Sequence, residues 1–299
     1  MTVEELKKEY ADKGAEITDA DSIWDKISSM IKSNKLAAIS LIVILAFCFC
    51  AVFAPFVAPY DPILQNYEKI RAKPSRDHLL GTDELGRDIL SRIIYGARIS
   101  LVIGLVPTTI SMAIGTVLGL MAGFIGKKTD FIIMRLADIM LAFPSLLLAM
   151  VVMYTLGASL INIFIALSVV NWAGTARVVR SQTLSLKEKE FVEAAKSIGV
   201  KDAVIMIRHI LPNCLPSLIV LFTMDIPGSI LSESSLSFLG IGAQPPASSW
   251  GLMVVHGKQW LFNEPWVSIA PGVAILILVL AFNFLGDGLR DAIDPYMKE

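Results

Sequence analysis

Six long apolar segments are the feature that most constrains the fold of this chain. Each is close to or longer than the ~20 residues that an α-helix needs to cross the hydrocarbon core of a bilayer. A mean hydropathy of +0.64, with 55% hydrophobic and 18% charged residues, is too apolar for an ordinary soluble protein of 299 residues. The sequence therefore predicts an all-α integral membrane protein with six transmembrane helices. These cover residues 36–58, 99–126, 130–156, 159–177, 211–240 and 265–286.

The distribution of basic residues predicts how these helices are oriented. Placing the N-terminus inside the cell puts 18 of the 26 Lys and Arg residues in cytoplasmic parts, as the positive-inside rule requires. Most of the others lie in the long loop 69–98, where acidic residues accompany them. The first apolar segment follows a polar, acidic N-terminus and lacks a small-residue cleavage site, so a cleavable signal peptide is not expected. We predict an N-in, C-in topology.

The segments between the helices define the regions of the chain. Residues 1–35 are predicted to form a cytoplasmic arm with an amphipathic interfacial helix, because their apolar residues recur on one helical face. A helix packed on a soluble partner is the alternative. Residues 36–58 form the first transmembrane helix, 59–98 an extracytoplasmic loop, 99–286 a core of five further transmembrane helices, and 287–299 a cytoplasmic tail.

The long loop 59–98 is predicted to contain a short helix on the outer surface. Thr82 can cap this helix, whose first turn would carry Asp83 and Glu84, and acidic residues are favourable at a helix N-terminus. Ile89 and Ile93 lie on its apolar side. The helix is expected to lead into the second transmembrane helix.

The polar segment 181–212 predicts a helix–turn–helix. Phe191, Ala195 and Ile198 share one face of a first short helix, and Gly199 fits its C-terminal cap. Asp202 can cap a second helix. A unit of this size cannot bury both of its faces alone, so the segment predicts a partner surface.

No residue pattern predicts an enzyme or a metal site. The three cysteines lie in or beside apolar segments, and the three histidines are far apart, so neither a disulfide framework nor a metal site is expected. The stretch Gly126-Lys127-Lys128-Thr129 lacks the first glycine of a nucleotide-binding P-loop and follows a long apolar helix instead of a strand. The chain itself is therefore not expected to bind ATP.

Five stretches in order carry a resemblance to a known family. The residues Glu193, Ala194, Ala195, Gly199, Leu211 and Pro212 match the spacing of the Glu-Ala-Ala (EAA) loop motif of ABC-importer permeases. His209 stands where the generic motif has Ile, but Arg208-His209 followed by Ile-Leu-Pro-Asn is similar to the peptide-importer version. Stretches 78–88, 138–144, 236–251 and 283–291 resemble the same subfamily. The chain resembles the second permease subunit of the oligopeptide/dipeptide/nickel ABC importers.

The resemblance implies a type I ABC-importer permease architecture and a role in ATP-driven uptake of oligopeptides or dipeptides, without a catalytic site on this chain. It implies a heteromeric complex in a bacterial or archaeal cytoplasmic membrane. The expected partners are a second homologous permease, two ABC ATPase subunits, an extracytoplasmic substrate-binding protein, lipid and the peptide. ATP and magnesium would belong to the ATPases. Segment 181–212, the coupling loop, would contact the ATPases through Glu193, Ala194, Ala195, Gly199, Arg208, His209, Leu211 and Pro212.

Residues inside the predicted helices suggest further roles. Gly115, Gly119 and Gly123 recur every four residues, which favours close helix packing over contact with cargo. Asp225 lies roughly 20 Å into the fifth helix, where a carboxylate is costly. It either lines the translocation path or is satisfied structurally, and the sequence does not decide between the two. Glu233 is a second candidate for the path, with a structural role favoured.

Two other classes of protein are weighed against a permease. A secondary transporter usually shows internal repeats and more than six spans, and no convincing repeat is present. An intramembrane enzyme needs a catalytic constellation, whereas Asp225 and Glu233 lie eight residues apart on one helix with no supporting histidine. The sequence leaves the cargo open between peptides of different length and a nickel chelate.

Overall fold

Helices are the main element of the described structure. The computed structural model describes residues 34–293, so the amphipathic helix predicted within residues 1–35 lies outside the described residues. Within the described range the β-structure is one isolated bridge between Thr82 and Asp88. The helices are α1 Lys35–Val52, α2 Ala54–Val57, α3 Ile89–Ile125, α4 Lys127–Ala142, α5 Ser145–Leu156, α6 Leu160–Leu186, α7 Glu190–Ser197, α8 Asp202–Ile205, α9 Leu211–Phe238, α10 Trp250–Gly257 and α11 Trp266–Ile293.

Within residues 34–293, five helical segments are long and apolar enough to cross a membrane. They are α1, α3, α6, the continuous run Asp202–Phe238 that joins α8 to α9 through a π-helical turn, and α11. The pair α4 and α5 becomes a sixth span if it is counted as one. The predicted all-α membrane class is confirmed, whereas the N-in, C-in orientation stays a prediction.

The third predicted span is bent, not straight. The sequence predicted one helix over residues 130–156, but α4 and α5 meet at 93°. Phe143 is extended, with φ −102° and ψ 146°, because the ring of Pro144 disfavours the helical conformation for the residue before it. The bend opens space between α4, α5 and the neighbouring helices.

The helix predicted after Thr82 begins later than expected. Asp88 is the N-cap of α3, and its side chain accepts a hydrogen bond from the backbone N–H of Ser91 at 2.8 Å. Thr82 instead accepts a hydrogen bond from the N–H of Ala72 at 2.7 Å and forms the isolated bridge with Asp88. The prediction of a Thr82-capped surface helix is therefore wrong. With 37 residues, α3 is roughly 55 Å long, so part of it extends beyond a ~30 Å hydrocarbon core.

An apolar cluster and a close backbone contact both help to hold the helices together. The largest apolar cluster lies between α1, α3, α9, α10 and α11 and contains the fully buried Trp250 and Leu278. The Trp250 indole N–H donates to the Ile93 carbonyl at 2.9 Å. Where α3 crosses α6, a Cβ at Gly115 or Gly119 would lie 2.6 Å from a carbonyl oxygen of α6. Glycine is what allows the two backbones to approach so closely.

Candidate functional site

The coupling loop is built from two short helices and a glycine turn. Gly199 has φ +79°, a conformation that favours glycine because it lacks a Cβ. The N–H of Val200 donates to the Ala195 carbonyl at 3.1 Å, and the N–H of Gly199 donates to the Lys196 carbonyl at 2.9 Å. This hydrogen-bond pair is a Schellman motif, which ends a helix and reverses the chain. The predicted cap by Gly199 agrees with this geometry, whereas the N-cap of α8 is Lys201 and not Asp202.

One face of the coupling loop is fixed to the transmembrane helices. Val192 and Ala195 of α7 pack with Ile205, Ile210 and residues of α3, α6 and α9 in a buried apolar cluster. The Lys187 ammonium group also donates to the carbonyl of Gly123 at 3.1 Å. The loop is therefore packed against the ends of three long helices.

The other face of the coupling loop is exposed and carries large apolar side chains. The exposed fraction is 41% for Phe191, 62% for Ile207 and 82% for Ile198. The sequence placed Phe191 and Ile198 on one face with Ala195, but Ala195 points inward while the two larger side chains point outward. Exposed apolar side chains of this kind are common where one protein contacts another.

The predicted motif residues are distributed over both faces and over the helix that follows. Glu193 and Ala194 are exposed, and Glu193 lies in the first turn of α7, where its charge is favourable. Arg208 and His209 belong to the π-helical turn; Arg208 is exposed and His209 is half-buried. Leu211 and Pro212 begin α9 directly after the π-helical turn, and the N–H of Leu211 donates to the Met206 carbonyl of that turn.

A cavity of about 520 Å³ lies inside the bend between α4 and α5, within the size range of pockets that bind small molecules (roughly 300–1,000 Å³). Its walls come from α3, α4, α6 and α9 and the start of α5, and they carry several hydroxyl groups. Asp225 of α9 faces this cavity with an exposed side chain. Within residues 34–293, its carboxylate has neither a hydrogen-bond nor an ion-pair partner.

Glu233 has different surroundings from Asp225. Its side chain is 1% exposed and does not line the cavity. Its carboxylate accepts hydrogen bonds from the Ser237 hydroxyl at 2.7 Å and the Ser249 hydroxyl at 2.9 Å. Ser237 in turn accepts from the N–H of Ala243 at 3.2 Å. Through these hydrogen bonds, Glu233 holds the segment that follows α9 against the C-terminal end of that helix.

Ion pairs between α4 and α6 border the cavity region. Arg177 donates to Asp138 at 2.6 Å, and Arg180 forms a two-point pair with Asp130. Arg135 is farther from Asp138, at 3.9 Å. Sequence reasoning did not predict the partners that α6 supplies to Asp130 and Asp138. The spacing of Arg177 and Arg180, about one turn apart on one helix, is the sequence feature that could have indicated these ion pairs.

Sequence reasoning missed a polar network at the opposite end from the coupling loop. His256 of α10 and Arg87 both contact the Glu84 carboxylate, at 2.9 and 3.1 Å, and Arg87 also pairs with Asp83 at 2.7 Å. Burial alone would raise the pKa of Glu84, but the hydrogen bond with His256 and the charge of Arg87 lower it below its ordinary value. The network joins the segment before α3 to α10.

Comparison with known proteins identifies the family. Residues 115–299 match the family described as binding-protein-dependent transport system inner membrane component. Residues 22–74 match the N-terminal transmembrane domain of oligopeptide transport permease C. The chain belongs to this family of inner membrane transport components. It is a transport permease subunit and a multi-pass protein of the cytoplasmic membrane, and the resemblance found in the sequence is confirmed.

Individual relatives are similar over nearly the whole chain. The dipeptide transport system permease protein DppC of Alkalihalophilus pseudofirmus is 45% identical over 279 residues, covering 93% of this chain and 92% of that protein. The oligopeptide permease OppC of Bacillus subtilis is 41% identical over 278 residues, covering 93% and 91%. The glutathione permease GsiD of Pectobacterium atrosepticum is 44% identical over 269 residues, covering 90% and 89%.

A solved structure shares the fold of this permease. The chain is similar to one from inward-facing conformations of the MetNI methionine ABC transporter, with a TM-score of 0.54 and 20% identity. The match covers 68% of this chain and 96% of that chain. At this identity the likeness establishes the fold alone, which is that of a type I ABC-importer permease.

Proposed function

We propose that this permease forms, with a second homologous permease, the translocation pore of an ATP-driven importer of oligopeptides or dipeptides. Relatives named for dipeptides, oligopeptides and glutathione support a peptide cargo, because the chain matches each over about nine-tenths of its length. Two ABC ATPase subunits would bind ATP and magnesium, which fits the lack of a P-loop in this sequence. An extracytoplasmic binding protein would deliver the cargo.

The coupling loop is the single observation that carries this proposal. Its inner face is packed against three long helices, and its outer face presents exposed apolar side chains that include Phe191 and Ile198. An exposed apolar surface of this kind is typical of a protein–protein contact. The loop can therefore transmit a movement of an ATPase subunit to the helices that surround the cavity.

The cavity supplies the second element of the proposal, a segment of the translocation path. Asp225 faces it, so we assign this residue to the path. The prediction that Glu233 also lines the path has no support from its contacts, which are the hydroxyl groups of Ser237 and Ser249.

Reconstitution tests the proposal directly. The chain, its partner permease, the two ATPases and the binding protein are placed in proteoliposomes, and uptake of a labelled dipeptide is measured. Uptake should require ATP and be inhibited by vanadate. Uptake that continues without ATP hydrolysis and instead stops with an uncoupler would indicate a secondary transporter.

A matched pair of variants tests the role of the coupling loop. Ile198→Asp places a charge on the exposed apolar face and should reduce uptake and binding-protein-stimulated ATP hydrolysis at least tenfold. Ile198→Leu keeps the face apolar and should behave like the wild type. Both variants should still copurify with the partner permease, because the Ile198 side chain is 82% exposed and contributes little to the fold. Full coupling in Ile198→Asp would contradict the assignment.

A further inference from the structure

We infer that Asp225 makes the cavity inside the α4–α5 bend a binding site for a primary ammonium group of the cargo. This inference rests on the proposed function and deepens it, because it names the chemical group that the path recognises. A peptide offers such a group at its free N-terminus and on lysine side chains.

Charge is the first observation that supports the inference. Among the described residues that line the cavity, Asp225 carries the only charged side chain. Arg177 lies on α6 beside the cavity-lining Val178, but it is paired with Asp138 at 2.6 Å and does not line the cavity. The wall therefore carries one carboxylate that faces a concave space, and a negatively charged cleft concentrates cations.

The hydrogen-bonding groups of the wall are the second observation. An ammonium group has three N–H donors and needs three acceptors. Hydroxyl groups of Ser111, Ser145, Thr175 and Ser232 and the amide of Asn171 line the same space as Asp225. Ser232 lies seven residues after Asp225 on α9, which places both on one helix face. The carboxylate with neighbouring hydroxyl and amide oxygens can satisfy all three donors.

Free space is the third observation. Gly174 of α6 and Gly228 of α9 line the cavity, and a Cβ at either position would meet no atom within 4 Å. These glycines keep the space in front of Asp225 open from two sides. They also provide positions where a reporter cysteine fits without disturbing the packing.

The charge of the cavity is measured with a reporter cysteine in the assembled importer. Cys48, Cys50 and Cys214 are first replaced, and Gly228→Cys is introduced. The rates at which this cysteine reacts with a cationic and an anionic methanethiosulfonate reagent are measured. The ratio of the two rates is compared with the ratio for a small thiol in solution. The cationic reagent should be favoured about tenfold beyond the solution ratio, and Asp225→Asn should abolish this preference. Gly174→Cys should report the same behaviour from the opposite wall.

Two further variants serve as controls for this measurement. Asp225→Glu retains the charge and should retain the preference for the cationic reagent. Glu233→Gln neutralises a carboxylate of the same helix that does not line the cavity, so it should leave the preference unchanged. Copurification with the partner permease shows that each variant assembles. A preference that is absent, or that survives Asp225→Asn, would overturn the inference.

Protection of the reporter by peptides identifies the recognised group. Ala-Ala should slow modification of Gly228→Cys, and N-acetyl-Ala-Ala should require at least a tenfold higher concentration for the same effect. Protection by N-acetyl-Ala-Lys at the concentration of Ala-Ala would show that a lysine ammonium also binds. Equal protection by Ala-Ala and its acetylated form would overturn ammonium recognition while leaving a peptide importer intact. If no peptide protects the reporter and none is taken up, the proposal that the cargo is a peptide would instead be wrong.

Discussion

Replacement of Gly199 by valine tests how the coupling loop transmits movement. Gly199 has φ +79°, and a Cβ built there would meet no atom within 4 Å. The cost of the substitution is therefore backbone strain and not a clash. A left-handed conformation costs an L-residue roughly 1–2 kcal/mol, and a β-branched residue is a marked outlier there.

This strain should open the turn locally without unfolding the protein. A cost of roughly 1–2 kcal/mol corresponds to about a 5- to 30-fold larger open population. The amide of Val200, which donates to the Ala195 carbonyl at 3.1 Å, should exchange its hydrogen faster by about this factor. Transport-coupled ATP hydrolysis should fall, while the affinity of the binding protein for cargo should not change.

Asparagine at position 199 is the matched control. Asn tolerates the left-handed conformation better than other residues with a Cβ, so Gly199→Asn should keep most of the coupling and most of the exchange protection at Val200. Normal uptake in Gly199→Val would refute the role of the turn. A reduction of coupled ATP hydrolysis in Gly199→Asn as large as that in Gly199→Val would show that backbone conformation is not the cause of the reduction.

Three further predictions address packing, topology and pH. Gly119→Leu should prevent assembly, because its Cβ would lie 2.6 Å from the Ala176 carbonyl oxygen; a normal yield of complex would contradict this contact. Single cysteines replacing Ser75 and Gln244 should react with an impermeant reagent in intact cells, and one replacing Ser185 only after permeabilisation; the reverse pattern would invert the orientation. The lowered pKa of Glu84 means that its stabilising contribution is present above the ordinary value of 4.5 and is lost as pH falls below it. Thermal unfolding should show a smaller acid-induced loss in Glu84→Gln.

The sequence predicted the membrane helices and the coupling loop because both depend on local patterns. Apolar length alone identifies a helix that spans a bilayer, and the left-handed cap at Gly199 follows from a glycine after an amphipathic turn. The start of α3 was misplaced because Thr82 and Asp88 are both good caps. The choice between them depends on the hydrogen bond that Thr82 accepts from Ala72, ten residues away.

The contacts of the two acidic residues in α9 could not be predicted from the sequence. Asp225 and Glu233 are eight residues apart in one apolar helix, and the sequence favoured a structural role for Glu233 without indicating its partners. Glu233 is satisfied by Ser249, which lies beyond the end of α9, whereas Asp225 faces space created by the bend at Pro144. Both environments arise from tertiary contacts, which a helical pattern does not specify.

The continuous helix Asp202–Phe238 connects the coupling loop directly to the wall of the cavity. Asp202 and Asp225 are 23 residues apart, or roughly 35 Å along the axis. A tilt of about 5° at the coupling end would therefore displace the Asp225 carboxylate by roughly 3 Å, about the length of one hydrogen bond. This displacement is that of a rigid helix, and bending at Pro216, which removes one backbone hydrogen bond, would reduce it. If the proposed ammonium site is correct, a small movement of the coupling loop would be large enough to separate the Asp225 carboxylate from the bound ammonium group.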